Sequence, residues 1–470
     1  MLAARLLKED DVEPLAEAVL TVLERVGVLC QNQELTRALE AAGAQPERGS
    51  EIVRFPRRVV AEFVEGLRRE NEGRNGWQEA LLAPAPAIIS GQVAQFYYDD
   101  AARQARSACQ EYFITLTKFG DALHGEEGVG HSLSLTDVPP LLEPLHAGLL
   151  LAEYAHRPHA PFAWNVRQND YLIEMGEILG LENWVNHGAI CFAHPLRFDR
   201  DCADRFVRRV REGVPTGLTG MPVAGATTPV TLEGFIAVSC AEHIATWFAA
   251  RAVNPRVPLA GSMWAGSVDM KTGTVSYSAP DAMLYGFAAV EFLRRWCGML
   301  VPVGAGDYCE ARVPGVYTAL EKAYKSVLAS AFTGQPLAAG GGLIDNGRTL
   351  SPVQLLLDRD FAVAMAHYGR TANPVGENLC LDTIEQVGIG LKTNYLEAEH
   401  TLRHFRAALW LPEILDRSGW RGMATEEAVT EKALGKFRNL LSEYRKPEGR
   451  EDQLAAMRAV LERARRELLR

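Results

Sequence analysis

The 470-residue sequence has no Cys-x-x-Cys pair. Its eight cysteines, at 30, 109, 191, 202, 240, 297, 309 and 380, are scattered. Thiols without metal-ligand spacing predict a reducing, cytoplasmic setting rather than a disulfide framework or a zinc site. No stretch approaches the ~20 apolar residues of a membrane span. Residues 1–10 lack the hydrophobic run and cleavage site of a signal peptide. Short-period repeats and low-complexity tracts are absent too. Nor is there an excess of basic charge: 49 Lys and Arg face 59 Asp and Glu, a net charge of −10. That argues against nucleic-acid binding, which needs a basic face to displace counterions. What is present, 47% hydrophobic and 23% charged residues, is the mix of a globular enzyme able to bury a large core unaided.

The chain opens on an amphipathic pattern. Val12, Leu15, Val19, Leu23 and Val26 recur at helical spacing, with Asp10 and Asp11 as the start signal and Gly27 as the stop. Helical stretches follow near 34–42 and 56–69, and 85–99 reads as a strand or hairpin. From about Gly128 short apolar runs alternate with helical stretches. Strands are expected at 128–135, 161–165, 188–194, 216–221, 257–263, 300–305 and 336–343, with helices such as 231–252, 280–297 and 314–332 between them. Ser351-Pro-Val-Gln354 reads as a capped helix start, and Ser278-Ala-Pro-Asp281 as a second of the same design. Seven β/α units are legible, and Val375–Leu381 is the best place for an eighth strand. The expected fold is therefore an α/β (β/α)8 TIM barrel at 126–420. An N-terminal helical and hairpin cap spans 1–125, and a helical extension spans 421–470, its last helix at 452–470. An open doubly wound sheet is the alternative.

In such a barrel the reacting groups sit where strands end. The expected strand ends carry Asp137, Trp164 with Asn165, His194, Met221, Trp264, Asp307 with Tyr308, and Asp345 with Asn346. Tyr277 follows the fifth strand, and the hairpin adds Phe96, Tyr97 and Tyr98. Aromatic faces attract a quaternary ammonium ion that cannot hydrogen-bond, each by about 0.5–2 kcal/mol. The same rings also fill barrel cores. Asp137, Asp307 and Asp345 allow a rival reading, a bound hard cation. His400 and His404, four residues apart, share a helix face but need a third ligand to hold a metal. No metal site is expected. Gly304-Ala-Gly306 lacks the third glycine of a dinucleotide fingerprint, since Cys309 stands there.

Several motifs occur together and in order. They are Val22-Leu-Glu-Arg-Val-Gly-Val28, Val53-Arg-Phe-Pro56, Asp137-Val-Pro-Pro140, Met221-Pro-Val-Ala-Gly-Ala-Thr-Thr-Pro-Val-Thr231, Asp269-Met-Lys-Thr-Gly273 with Ser276-Tyr-Ser-Ala-Pro280, Gly341-Gly-Leu-Ile-Asp-Asn-Gly347 and His400-Thr-Leu-Arg-His-Phe-Arg406 with Trp410. From about residue 10 to about 420 the chain resembles the trimethylamine methyltransferase family. The resemblance implies a (β/α)8 barrel that demethylates methylated amines. The methyl acceptor is then Co(I) of a corrinoid carried on a separate small protein. Archaeal trimethylamine enzymes of the family use pyrrolysine. This chain has only standard residues, which places it beside relatives acting on quaternary amines such as glycine betaine.

On that reading Trp164, Trp264, Tyr277 and Tyr308, with Tyr97, bind the substrate cation. His194, Asp307 and Asp345 are the catalytic candidates, positioning substrate or the loops around it. Arg312 is the candidate for a substrate carboxylate. The chain binds no cofactor directly, and no Asp-x-His-x-x-Gly corrinoid segment occurs in it. Its expected partners are a small quaternary amine and a corrinoid-binding protein, with self-association left open. Two departures from the family lie near the expected pocket. Asp307-Tyr-Cys-Glu-Ala-Arg-Val-Pro-Gly315 replaces an Asp-Ala-Lys and Pro-Asp pattern, and Leu337-Ala-Ala339 stands where many members have a His. Two alternatives remain: a metal-assisted barrel lyase or hydrolase, and a non-catalytic binder of methylated amines.

Overall fold

The computed structural model describes residues 5–73, 88–304, 306, 308–336, 340–367 and 372–470. Within them lie fifteen α-helices and four small sheets, a mixed α/β architecture. All eight cysteines are free. No described helix is long and apolar enough to cross a membrane.

The first helix, Val12–Arg25, buries Leu15, Val19 and Leu23 of the expected stripe, with Leu20 beside them, while Val26, just past its end, is exposed. It packs on the long central helix Leu232–Val253. Strand Val28–Cys30 pairs antiparallel with Ile52–Arg54 and parallel with Arg197–Phe198. The N-terminal region therefore shares one hydrophobic core with the middle of the chain, built around Leu23, Phe206, Trp247 and Phe292.

Parallel pairings then run in sequence order. Ala94 bridges Leu133, Val129 bridges Pro158, and Phe162 bridges Asn186. The Thr219 N–H donates to Ile190 O at 2.8 Å. Thr216 bridges Leu259, and Thr219–Gly220 pairs with Ser262–Met263. Met263 bridges Val303, whose N–H and C=O are both held by the Gln335 side chain. The first six expected strands fall on these pairings. They are mostly single bridges, and the described residues form no closed barrel. Pro158, Pro161, Pro215, Pro258 and Pro302 stand at the pairing sites and have no N–H to donate, which shortens the ladders.

Two expectations are corrected. Val375–Leu381 is not a strand: Gly376–Leu379 is a 3-10 turn, and Cys380, at φ +56°, leads into helix Leu381–Val387. A further pairing position lies upstream instead, at 88–94. Ser278 does not cap its helix. Pro280 is already the first helical residue, and the hydroxyl of Ser276 accepts the N–H of Ala279 at 2.8 Å. Ser351 does cap, accepting the N–H of Gln354 at 3.0 Å. The stretch expected as a strand or hairpin at 85–99, of which 85–87 lie outside the described residues, supplies only the first strand of a hairpin, Phe96–Asp99; its partner Gln104–Ser107 lies beyond it, and Thr349–Leu350 joins in parallel.

Two C-terminal helices close the outside. Met423–Glu443 lies on Gln110–His124 and Pro352–Ala366. Glu451–Leu468 lies on Glu143–Tyr154 and Asn169–Leu179, burying Leu454, Met457 and Leu461.

Candidate active site

Three of the expected cation-binding rings meet. Trp264 directly follows strand Ser262–Met263, and its N–H donates to Gly220 O at 2.7 Å. Its ring lies 4.8 Å from that of Tyr308 at a tilt of 53°. Tyr277 stands 5.9 Å from Tyr308 at 74°. These tilts are those of adjoining walls, not of a flat stack, so the rings make a corner. Two glycines create the space. A Cβ on Gly304 would fall inside the Trp264 ring, and one on Gly347 inside the Tyr308 ring. Beside the corner, Met263, Trp264, Tyr277, Gly304 and Lys325 line a cavity of about 10 Å³, which Tyr308 does not border. Burial, with a smaller contribution from nearby Cys191, pushes the Tyr277 hydroxyl up from its ordinary pKa. Neutral rings therefore face that space at any ordinary pH.

Loop contacts hold the corner. Asp345, at φ +53°, donates its N–H to Ala311 O at 2.7 Å. Asn346 donates its N–H to Cys309 O at 2.7 Å and its side-chain amide to Val275 O at 3.3 Å. The turn 345–347 thus touches both segments that carry the tyrosines. The carboxylate of Asp345 pairs with Arg348 at 2.8 Å and Arg312 at 3.4 Å. Arg312 is largely exposed. Asp307 lies outside the described residues.

Beneath the corner sits a buried charge network that the sequence reading missed. Lys322 and Asp358 pair at 2.6 Å with both side chains inside the protein. Asp358 also accepts the Gly342 N–H and the Gln354 amide, each at 2.8 Å. Glu321 accepts the N–H groups of Glu310 and Ala311, at 2.8 and 3.0 Å. Lys325 donates to Tyr308 O at 3.3 Å. A signal was available: Glu321, Lys322 and Lys325 are the only charges in the 18-residue helix Val316–Thr333.

The other expected residues stand apart from this corner. His194 donates from Nδ1 to Glu242, at 2.9 and 3.0 Å, and accepts the Met221 N–H at Nε2, at 3.0 Å. Both ring nitrogens are engaged, so His194 ties two strand ends together. Trp164, partly exposed, donates its indole N–H to buried Glu143 at 2.7 Å. Glu143 also accepts from His131 at 3.0 Å and from the Leu135 N–H at 2.9 Å. Tyr97 is buried and stacked on Tyr112, with centroids 4.6 Å apart. Burial, then the charges of Asp100 and Asp99, drives its hydroxyl pKa far up.

The metal-binding alternative finds little here. Asp137 is engaged at a helix start, accepting the Gln110 N–H at 3.2 Å. His400 stands 2.8 Å from Cys380 Sγ, its ring 4.3 Å from that of His404 at a tilt of 32°. Among the described residues no three His, Cys, Asp or Glu side chains are arranged to hold a metal.

The class of the protein comes from comparison with known proteins: it is a methyltransferase. A family model described as trimethylamine methyltransferase (MTTB) matches residues 2–468, and the chain belongs to that family. It is 21% identical over 467 residues to trimethylamine methyltransferase MttB of Desulfitobacterium hafniense (strain DSM 10664 / DCB-2), covering 97% of this chain and 92% of that one. It is 21% identical over 459 residues to glycine betaine methyltransferase of D. hafniense (strain Y51), covering 94% and 93%. Trimethylamine methyltransferase MttB2 of Methanosarcina mazei is 22% identical over 498 residues, covering 98% and 95%.

Proposed function

We propose that this methyltransferase takes a methyl group from a quaternary amine of the glycine betaine kind and passes it to cobalt of a corrinoid on a separate protein. The observation that carries the reading is the corner of Trp264, Tyr277 and Tyr308, built from three separate segments. The names of the relatives, trimethylamine and glycine betaine methyltransferases, supply the substrate class. The presence of only standard residues favours the quaternary substrate, whose nitrogen leaves neutral and needs no prior activation. The reduced cobalt supplies the nucleophile. The chain's own residues orient and desolvate: three rings hold the ammonium group so that one methyl carbon faces outward. Positive charge leaves nitrogen as the methyl departs, so a modest corner serves better than a complete cage, which would stabilise the ground state. Lys325, which donates to Tyr308 O at 3.3 Å, is the cation nearest the rings for a zwitterion's carboxylate. Arg312 is the weaker anchor, because it is exposed and already paired with Asp345.

The same reading favours a closed (β/α)8 barrel in a cytoplasmic enzyme. The parallel pairings form one ordered series from 88–94 to Gln335. Gly341 returns to the start of that series, where a Cβ on it would stand 3.3 Å from Ile88 O. The barrel then draws its first strand from residues the sequence assigns to the 1–125 cap, continues through 126–420, and carries the 421–470 helices outside.

The test is spectroscopic. Purified protein is mixed with Co(I) cobalamin, with and without corrinoid proteins, and a panel of methylated amines. Conversion to methyl-Co(III) with one betaine is the expected result. No conversion with any amine and any corrinoid protein overturns the reading.

A further inference from the structure

The turn Asp345-Asn346-Gly347 is left-handed throughout, with φ +53°, +53° and +79°. Glycine adopts that conformation freely, whereas Asp and Asn do so at some cost in free energy. Residues held this way gather at functional sites. Here strain and site coincide, because Gly347 packs directly on the Tyr308 ring.

Asn346 has a polar atom left over. Its backbone N–H goes to Cys309 O at 2.7 Å, one residue past Tyr308. Its side-chain Nδ2 goes to Val275 O at 3.3 Å, two residues before Tyr277. Both donors are therefore used on the segments that carry the two tyrosines. The Val275 carbonyl also fixes which end of the amide is which, since the reverse orientation would set oxygen against oxygen. Oδ1 is the end turned away from Val275. It is buried, and it accepts no hydrogen bond from the described residues. A buried acceptor without a donor is destabilising and calls for a physical reason.

A quaternary ammonium group supplies one. It has no N–H, but its charge polarises its methyl C–H bonds, which then donate weakly to oxygen. We propose that Asn346 Oδ1 is the negative pole of the cation site, facing the methyl groups that Trp264, Tyr277 and Tyr308 enclose, and that it selects a charged head group over a neutral one of the same shape. This rests on the reading of that corner as the cation site. A full negative charge stands next door on Asp345, but Arg348 at 2.8 Å and Arg312 at 3.4 Å neutralise it. The site is left with a dipole in place of a charge. A dipole attracts the cation without holding it so firmly that the loss of its charge in the transition state is opposed.

The test compares the full native chain with Asn346→Gly and Asn346→Asp, replacements that both suit a left-handed backbone. Calorimetry uses three probes: tetramethylammonium, glycine betaine, and 3,3-dimethylbutanoate, which has carbon in place of betaine's nitrogen. Methyl transfer from glycine betaine to Co(I) cobalamin is followed in parallel. Asn346→Gly is expected to weaken both cations about 2- to 5-fold and to leave the neutral isostere unchanged. Asn346→Asp is expected to tighten both cations, lowering KM and kcat together. An asparagine that only shaped the turn would move all three probes alike. Equal loss of all three in Asn346→Gly overturns the proposal. So does a cation affinity that Asn346→Asp leaves unchanged or lowers. A native chain that binds neither cation overturns the reading of the corner, and the proposal with it.

Discussion

The α-carbon of Gly347 lies against the ring of Tyr308, leaving no room for a side chain between them. The backbone at Gly347 is also left-handed, with φ +79°, so any substitution there is strained as well as crowded. Gly347→Ala is expected to push Tyr308 off its place beside Trp264 and Tyr277. Losing one aromatic face at a cation site is worth about 0.5–2 kcal/mol. Affinity for the true substrate, by calorimetry, should fall about 2- to 30-fold with the fold intact. Tyr308→Ala should do the same, and unchanged affinity in both variants would remove the corner from the binding site.

Lys322 and Asp358 form a pair whose side chains are both buried. Asp358→Ala leaves a buried ammonium alone and should cost about 3–5 kcal/mol in denaturant unfolding. Replacing both at once, Lys322→Met with Asp358→Leu, should recover most of that loss. Additive losses in the double variant would show that the two residues act separately.

Asp100 gives a pH dependence. Burial pushes its carboxyl up to about 7, against the opposing hydrogen bond from Ser351. The folded state therefore holds a proton that the unfolded chain has released, between about pH 4 and pH 7. Stability from this group is full below that window and lost as pH rises through it. Asp100→Asn should stabilise the protein more at pH 8 than at pH 5, measured by thermal unfolding. An equal shift at both pH values would mean the carboxyl titrates normally.

His194 has both ring nitrogens engaged, Nδ1 by Glu242 and Nε2 by the Met221 N–H. His194→Asn should lower turnover by loosening the Met221 strand end, while the pH profile of kcat keeps both limbs. Loss of one limb would make His194 an acid or base.

Six expected strand positions fall on parallel pairings because each is a short apolar run before a loop, and Trp264, Tyr277 and Tyr308 stand out as candidates because each lies at the end of such a run or in the loop after it. The sequence did not reveal which aromatics share a site. Tyr97 has the same residue type and placement, yet it stacks on Tyr112 in the core. It also misplaced a strand at 375–381, where Gly376 and the left-handed Cys380 break the backbone. The buried partners Glu143, Glu242 and Asp358 were invisible because a carboxylate on a helix reads as a wet face. Only the folded chain aims donors at them.

The pairing of Phe96 and Tyr97 with Thr349 and Leu350 has a consequence in time. The hairpin leaves the ribosome some 250 residues before its parallel neighbour exists. At roughly 5–20 residues per second, that is about ten seconds to a minute of waiting. Throughout it, one edge of the hairpin has no neighbour and can join another chain's strand. Newly made chains will therefore need chaperone cover in that interval, and a chain cut short before Thr349 will keep the edge open for good.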